Sequence, residues 1–222
     1  MARVFSLLAF VAALLLTGTA RAQLHWDAGA QAGVMKRFLG SKPPGGGDAS
    51  FGPVGELHGH VAILPLLRVG PYISHDISPL PGDASAMQIT SFGARVKLTS
   101  PLPLDPLRVW VFAGFGYAAA YGPSYHTTYD YGGPRDTLAP GAGGGFFEVP
   151  FGIGASYKFR RPWCFTAELG GRVGMGFHGS VFDKDGRAGV VYWPGAPYPG
   201  FVPNAGTDTF GISLMLGVMI DN

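Results

Sequence analysis

Apolar residues recur at every second position through most of the chain beyond residue 22. The clearest case runs from Phe147 to Phe159, where large apolar side chains alternate with glycine and polar residues. Successive side chains of a strand point to opposite faces, so this period predicts strands with one apolar face. Gly and Pro interrupt every window long enough for a helix, and the sequence therefore predicts an all-β protein.

The alternation marks eight candidate strands. The connections between them are alternately long and short, as expected when antiparallel strands join at the two ends of one barrel. The longest connections are residues 122–145 and 180–206, which are rich in Gly, Pro and aromatic side chains. The candidate strands cover residues 24–34, 56–63, 67–76, 90–98, 107–121, 147–159, 165–177 and 210–220.

Two of these segments depart from plain alternation. Pro71 lacks a backbone donor and is a flaw in the assignment of the third strand, although a bulge would tolerate it. The fifth segment is apolar on both faces. We expect Val111 and Phe115 to point outward, because Gly114 and Gly116 then lie inside.

Strand length separates a membrane barrel from a soluble β-sandwich, which shows the same alternation. Strands in water average about 5–6 residues, whereas a tilted strand needs about 9–11 to cross a bilayer. Segment 147–159 exceeds that length, and its less apolar face carries small residues and scattered charges that suit a narrow barrel interior. The sequence predicts an all-β, eight-stranded antiparallel up-and-down transmembrane β-barrel, with a soluble secreted β protein as the alternative.

The first 22 residues follow a different pattern. Arg3 precedes a largely apolar stretch, residues 4–16, and small residues lead to Ala20 and Ala22. A membrane-spanning helix needs about 20 apolar residues, so this stretch is too short and fits a secretory signal peptide. We expect cleavage after Ala22, with a signal peptide over residues 1–22 and the barrel domain over residues 23–222.

Charge and cysteine content narrow the functional classes. The chain has 16 basic and 14 acidic residues, and two of the basic ones, Arg3 and Arg21, lie in the leader, which leaves 14 of each sign. A neutral domain without a basic cluster offers no electrostatic footprint for nucleic acid. Cys164 is the sole cysteine, so no intramolecular disulfide supports the fold.

The positions predicted to face inward include charges of both signs. Charges removed from bulk water persist when paired, so we expect a lumen charge network, with a selectivity filter in a narrow pore as the other interpretation. Glu168 and Arg172 lie about 13 Å apart along one strand and need partners across the barrel, among Arg68, Arg95, Glu148 and Glu56. The network candidates are Glu56, Arg68, Arg95, Glu148, Glu168 and Arg172, within an inward set that adds Asp27, Asp76, Lys97 and Lys158.

Two residue groups could bind a metal, but each lacks a part of the usual ligand set. His58 and His60 lie on one face of a strand with Glu56 beside them, without a third well-placed ligand in the sequence. Asp183 and Asp185 begin a pattern similar to a calcium loop that lacks its closing Glu. We therefore expect no metal and no cofactor.

Catalytic signatures are equally incomplete. Ser124 and His126 are close in sequence, but acyl hydrolysis also needs an acidic residue to orient the base, and no G-x-S-x-G elbow is present. We therefore expect a protein that is not an enzyme.

The stretch 146–177 carries a resemblance to a known family. It reads FFEVPFGIGASYKFRRPWCFTAELGGRVGMGF, and its ELGGRVG part, with Glu168 and Arg172, resembles the E-x-G-x-R seventh strand of small barrels. Together with the leader and the eight-strand pattern, it resembles the small outer-membrane β-barrel proteins of the OmpA/OmpX/OmpW-like group. The final residues, Ile220, Asp221 and Asn222, depart from the aromatic terminus common in that group.

The resemblance implies a protein of the outer membrane of a Gram-negative-type bacterium, in contact with membrane lipid and inserted by the barrel assembly machinery. We expect a monomer with a structural or small-solute-permeation role. The alternative is surface recognition or adhesion, in which residues 122–145 and 180–206 contact an extracellular ligand through rigid aromatic side chains.

Overall fold

The computed structural model describes most of the chain beyond the leader. The described residues are 25–39, 50–79, 86–102, 104–121, 125–129, 133–137, 143–179, 190–191, 200–201 and 209–222. The expected signal peptide, residues 1–22, lies outside them. Among the described residues, no helix is long and apolar enough to cross a membrane.

Eight long strands close into one antiparallel barrel, which confirms the predicted fold class. Their order around the barrel is β1, β12, β9, β8, β5, β4, β3 and β2, with β2 pairing back to β1. The barrel strands are β1 (Trp26–Leu39), β2 (Gly52–Ala62), β3 (Leu67–Ser78), β4 (Met87–Thr99), β5 (Leu107–Tyr121), β8 (Gly143–Arg160), β9 (Trp163–Gly179) and β12 (Thr209–Asp221).

Four short strands pair outside the barrel wall. Within the predicted loop 122–145, β6 (Tyr125–Tyr129) pairs with β7 (Gly133–Thr137). Within the predicted loop 180–206, β10 (Val190–Val191) pairs with β11 (Gly200–Phe201). The barrel itself has a short-turn end, at residues 63–66, 100–106 and 161–162, and an opposite long-loop end.

The first strand is longer than the sequence pattern predicted. The predicted segment ends at Val34, whereas β1 continues to Leu39 because its ladder with β12 extends to the pair Leu39 and Thr209. Met35 and Arg37 continue the inward positions of the strand and are fully buried. The inward set inferred from the sequence therefore omitted Arg37.

The strand tolerates Pro71 without a bulge in the ladder between β2 and β3. The ladder between β2 and β3 pairs His58 with Tyr72 and Val61 with Val69 in one unchanged register, and two pairs between them are missing. Pro71 therefore interrupts hydrogen bonding without inserting an extra residue. The missing backbone donor of proline accounts for this interruption.

The fifth strand faces as predicted. Val111 and Phe115 point outward and are 50% and 54% exposed, whereas Trp110 and Phe112 point inward and are buried. Gly116, also inward, lies under the hydroxyl of Tyr72.

The barrel is apolar outside and polar inside, the reverse of a globular protein in water. Large aliphatic and aromatic side chains such as Leu57, Phe92, Ile153 and Leu214 are exposed on the outer wall, while Asp, Glu, Arg and Lys side chains fill the interior. The candidate site therefore consists of charged side chains buried in the barrel interior.

Candidate functional site

Seven charged side chains form one connected chain of ion pairs inside the barrel, which we name the central network. Its members lie on six strands, β1, β2, β3, β4, β8 and β9. In order of contact they are Asp76, Arg37, Glu148, Arg172, Glu56, Arg95 and Glu168.

The part of the central network nearest the long-loop end centres on Arg37 and Arg172. Arg37 Nη2 lies 2.7 Å from Asp76 Oδ1 and 3.1 Å from Glu148 Oε1. Arg172 continues the chain, with Nη1 2.9 Å from Glu148 Oε2 and Nη2 2.9 Å from Glu56 Oε2. Each guanidinium therefore bridges two carboxylates that belong to different strands.

Arg95 completes the network on the side nearest the short-turn end. Its guanidinium contacts Glu56, and its Nη2 lies 2.9 Å from Glu168 Oε1. The plane of Phe112 lies beneath it, 4.2 Å from the guanidinium carbon to the ring centroid. Glu168 also accepts a hydrogen bond from Trp110 Nε1 at 3.2 Å.

Desolvation makes this pairing necessary. Every member of the central network is at most 4% exposed. A charge in such surroundings persists when an opposite charge and hydrogen bonds compensate for lost water. The network contains four carboxylates and three guanidinium groups, so nearly all of its charge is balanced internally.

A second group of charges lies toward the short-turn end, and we name it the mouth cluster. Asp27 Oδ2 lies 2.6 Å from Arg68 Nη1 and 3.2 Å from Lys97 Nζ, and Arg68 Nη1 lies 2.8 Å from Asp221 Oδ1. The members of the mouth cluster are Asp27, His60, Arg68, Lys97, Arg108 and Asp221.

The structure distributes the sequence-predicted candidates over these two groups. Arg68 lies in the mouth cluster, and Lys158 is half-buried without an ion pair in the described part of the chain. The candidates in the central network are Glu56, Arg95, Glu148, Glu168 and Arg172. Glu168 and Arg172 do not contact each other, and each pairs across the barrel.

Sequence reasoning missed Arg37 in the central network and Arg108 and Asp221 in the mouth cluster. Arg37 shares the inward positions of Asp27 and Gln31 on one strand, so extending the alternation three residues past Val34 would have found it. The other two lie at strand ends, where alternation carries the least information.

Glycines make room for the large interior rings. A Cβ at Gly154 would overlap the indole ring of Trp110, its cross-strand partner, and a Cβ at Gly29 would lie 2.7 Å from His58 Nε2. The ring of Trp110 also lies 4.1 Å from Lys97 Nζ. Trp110 therefore sits between the central network and the mouth cluster.

His58 and His60, two positions apart on β2, are not favourably placed to bind a metal ion. Asp27, His58 and His60 place ligand atoms within 4.8 Å of one another, which adds a carboxylate that the sequence did not reveal. Asp27, however, is already bonded to His60 Nδ1 and to two cationic side chains, Arg68 and Lys97. Their positive charge opposes a divalent cation at that point.

Two other sequence-level candidates lie beyond what the structure describes. Ser124 and the calcium-like pair Asp183 and Asp185 are outside the described residues, and the side chain of His126 is as well. In the part that is described, no Ser or Cys side chain hydrogen-bonds to a histidine.

The closed eight-stranded antiparallel barrel is the fold of the small outer-membrane barrels. Neisserial surface protein A (NspA) has this fold and matches with a TM-score of 0.52 at 12% identity, over 88% of this chain and 96% of that chain. The predicted resemblance to this class of barrels is thereby confirmed at the level of fold.

Two further solved structures match more weakly. A major outer membrane protein from Thermus thermophilus gives a TM-score of 0.48 at 16% identity, over 90% of this chain and 99% of its own. Ail of Yersinia pestis gives 0.44 at 10% identity, over 88% and 98%. No protein-family model matches the chain, and no curated protein matches it by sequence.

Proposed function

We propose that this protein is a non-enzymatic outer-membrane barrel in which the central network locks the interior into a rigid, non-conducting scaffold. The observation that carries the proposal is the paired arrangement of seven buried charges across the lumen. In this role the barrel anchors residues 122–145 and 180–206 at the outer surface, because transmembrane barrels place their longer loops there.

The outer wall supports placement in a bilayer. Soluble monomers rarely expose a contiguous apolar surface, yet Leu57, Phe92, Ile153 and Leu214 lie on different strands and are all more than half exposed. Closure also pairs every barrel strand with a neighbour on each side and leaves no open sheet edge, which lipid requires. Contact with outer-membrane lipid and insertion by the barrel assembly machinery belong to this proposal.

The packing of the lumen favours a scaffold over an open channel. Arg95 and Glu168 meet across the interior from β4 and β9, and the ring of Phe112 covers the guanidinium. Gln31 and Tyr72 leave buried polar atoms without a protein partner in the described part, so isolated water-sized spaces are compatible with this packing. A conducting pore would need these spaces to join.

Membrane insertion is tested by cell fractionation and by electrophoresis. We expect the protein in the outer-membrane fraction, with different migration on SDS gels before and after boiling, because a closed barrel leaves no free strand edge for detergent to attack. Recovery in the soluble periplasmic fraction without a heat shift would refute the barrel in a membrane.

Scaffold and pore are separated by planar-bilayer recording on the purified full chain. We expect no steady conductance steps from the wild type, and the emergence of steps when Arg95→Ala and Glu168→Ala are combined. Steady steps from the wild type would refute the locked interior and support small-solute permeation. The alternative of adhesion through residues 122–145 and 180–206 stays a prediction, since most of those residues lie outside the described ranges.

A further inference from the structure

A cavity opens at the short-turn end, below the mouth cluster. Its volume is about 790 Å³, within the range of about 300–1,000 Å³ that is common for small-molecule sites. Residues of two turns, 63–66 and 100–106, line it together with residues near the ends of β3, β5, β8, β9 and β12. The lining combines apolar and charged side chains.

The two turns contribute most of the apolar lining of the cavity. Leu64 and Leu102 are 60% and 63% exposed, and Ile63, Leu66, Leu104 and Leu107 extend the same surface. Turns are usually rich in Gly, Pro, Asn, Asp and Ser, and the turn 100–106 follows this rule with its serine, proline and aspartate residues. The exposed leucines of the two turns add a surface for an apolar group.

The lining also contains cationic side chains. Lys158 and Arg161 line the cavity, and neither forms an ion pair in the described part of the chain. Arg68 and Arg108 also line the cavity and share the carboxylate of Asp221. The lining thus contains four cationic side chains against two carboxylates, those of Asp105 and Asp221.

We propose that this cavity binds a fatty acid, with the carboxylate at Lys158 and Arg161 and the hydrocarbon chain along the turn leucines. A guanidinium fork matches the two oxygens of a carboxylate, and an ammonium group adds a second donor. The leucines of the two turns cover the hydrocarbon chain and remove it from water. The ligand is therefore selected by the presence of both parts, a charged head and an apolar chain.

The test uses the full chain in phospholipid nanodiscs and decanoate labelled with ¹³C at the carboxyl carbon, with empty nanodiscs as the background. We expect saturable line broadening that empty nanodiscs do not produce. Unlabelled decanoate should compete for the site. Decanol, which lacks the charge, and butyrate, which lacks the long chain, should not.

Matched variants separate the site from general charge at the rim. Lys158→Gln and Arg161→Gln should each weaken decanoate binding by roughly tenfold, because each removes a charge-assisted contact. Arg160→Gln removes the same charge from an exposed neighbour that does not line the cavity, and should leave the affinity within about twofold. Leu102→Ser should weaken decanoate binding without loss of the heat shift.

Three results would overturn the proposal. One is the absence of a saturable component above empty nanodiscs, and another is an equal effect of Arg160→Gln and Arg161→Gln. The third is tighter binding of decyl phosphate than of decanoate, which would assign the site to phosphate-headed lipids. Each variant is first checked for the heat shift, so that loss of binding is not confused with loss of folding.

Discussion

The central network and the mouth cluster use the same chemistry, but the mouth cluster includes an ion pair with a partly exposed member, that of Arg108 with Asp221. Both join guanidinium groups to carboxylates at hydrogen-bonding distance, yet the side chain of Arg172 is 3% exposed and that of Arg108 is 43% exposed. Removing a partner from a buried pair leaves an uncompensated charge in a low dielectric, whereas water replaces the partner of an exposed one. Equal geometry therefore does not mean equal contribution to stability.

Both groups join strands that are not neighbours. The backbone ladder links each strand only to its neighbours, but Arg95 on β4 reaches Glu168 on β9 in the central network, and Lys97 on β4 reaches Asp27 on β1 in the mouth cluster. Both groups thus tie together opposite walls of the barrel, and the mouth cluster does so nearer the short-turn end.

The largest effect is expected for Arg172→Met. The change removes the guanidinium shared by Glu56 and Glu148 and should lower the free energy of unfolding by about 3–5 kcal/mol. Urea unfolding in phospholipid vesicles, followed by tryptophan fluorescence, measures the loss. Arg160→Met, at an exposed position outside both groups, is the control, and equal losses for both variants would contradict the role of the buried ion pairs of Arg172 in stability.

Glu168→Gln should have a smaller effect on the same network. Arg95 keeps its contact with Glu56, and the amide oxygen of Gln can still accept from Trp110, so we expect a loss of about 1–3 kcal/mol. The same unfolding assay measures it. Unchanged stability together with the loss of a hydrolytic activity would refute the non-enzymatic proposal.

Gly154→Ala probes the boundary between the two regions. The added methyl group would overlap Trp110, which donates to Glu168 and lies over Lys97, so overpacking should cost about 1–2 kcal/mol. Gly55→Ala is the control, because its Cβ would have no neighbour closer than 3.9 Å. Equal unfolding midpoints for the two variants would show that the ring of Trp110 shifts freely.

The sequence predicted the faces of the strands better than the partners of the charges. Alternation placed Phe151 outside and Glu148 inside because that pattern is local, and the glycines of β5 settled its orientation in the same way. Arg37 was missed because Lys36 beside it is also charged, so polarity alone did not mark the inward face.

Pairing across the lumen depends on barrel closure and on the stagger of the strands, which local alternation does not encode. Glu56 is flanked in sequence by no basic residue, yet it contacts Arg95 from β4 and Arg172 from β9. The sequence grouped Arg68 with Arg95 in one network, but the relative positions of the two side chains along the barrel depend on the register between strands. The structure places Arg68 in the mouth cluster.

Arg108→Gln should have the smallest effect on stability. Its side chain is nearly half exposed, and its partner Asp221 keeps Arg68, so we expect a loss of about 0.2–1 kcal/mol. Salt screens exposed pairs more than buried ones, so the difference between Arg108→Gln and wild type should shrink further in 1 M NaCl, whereas that of Arg172→Met should persist. Urea unfolding at low and high salt measures both. A loss for Arg108→Gln that matches Arg172→Met and resists salt would mean that the ion pair of Arg108 is as dry as those of Arg172, and the contrast between the exposed pair and the buried pairs would then have to be abandoned.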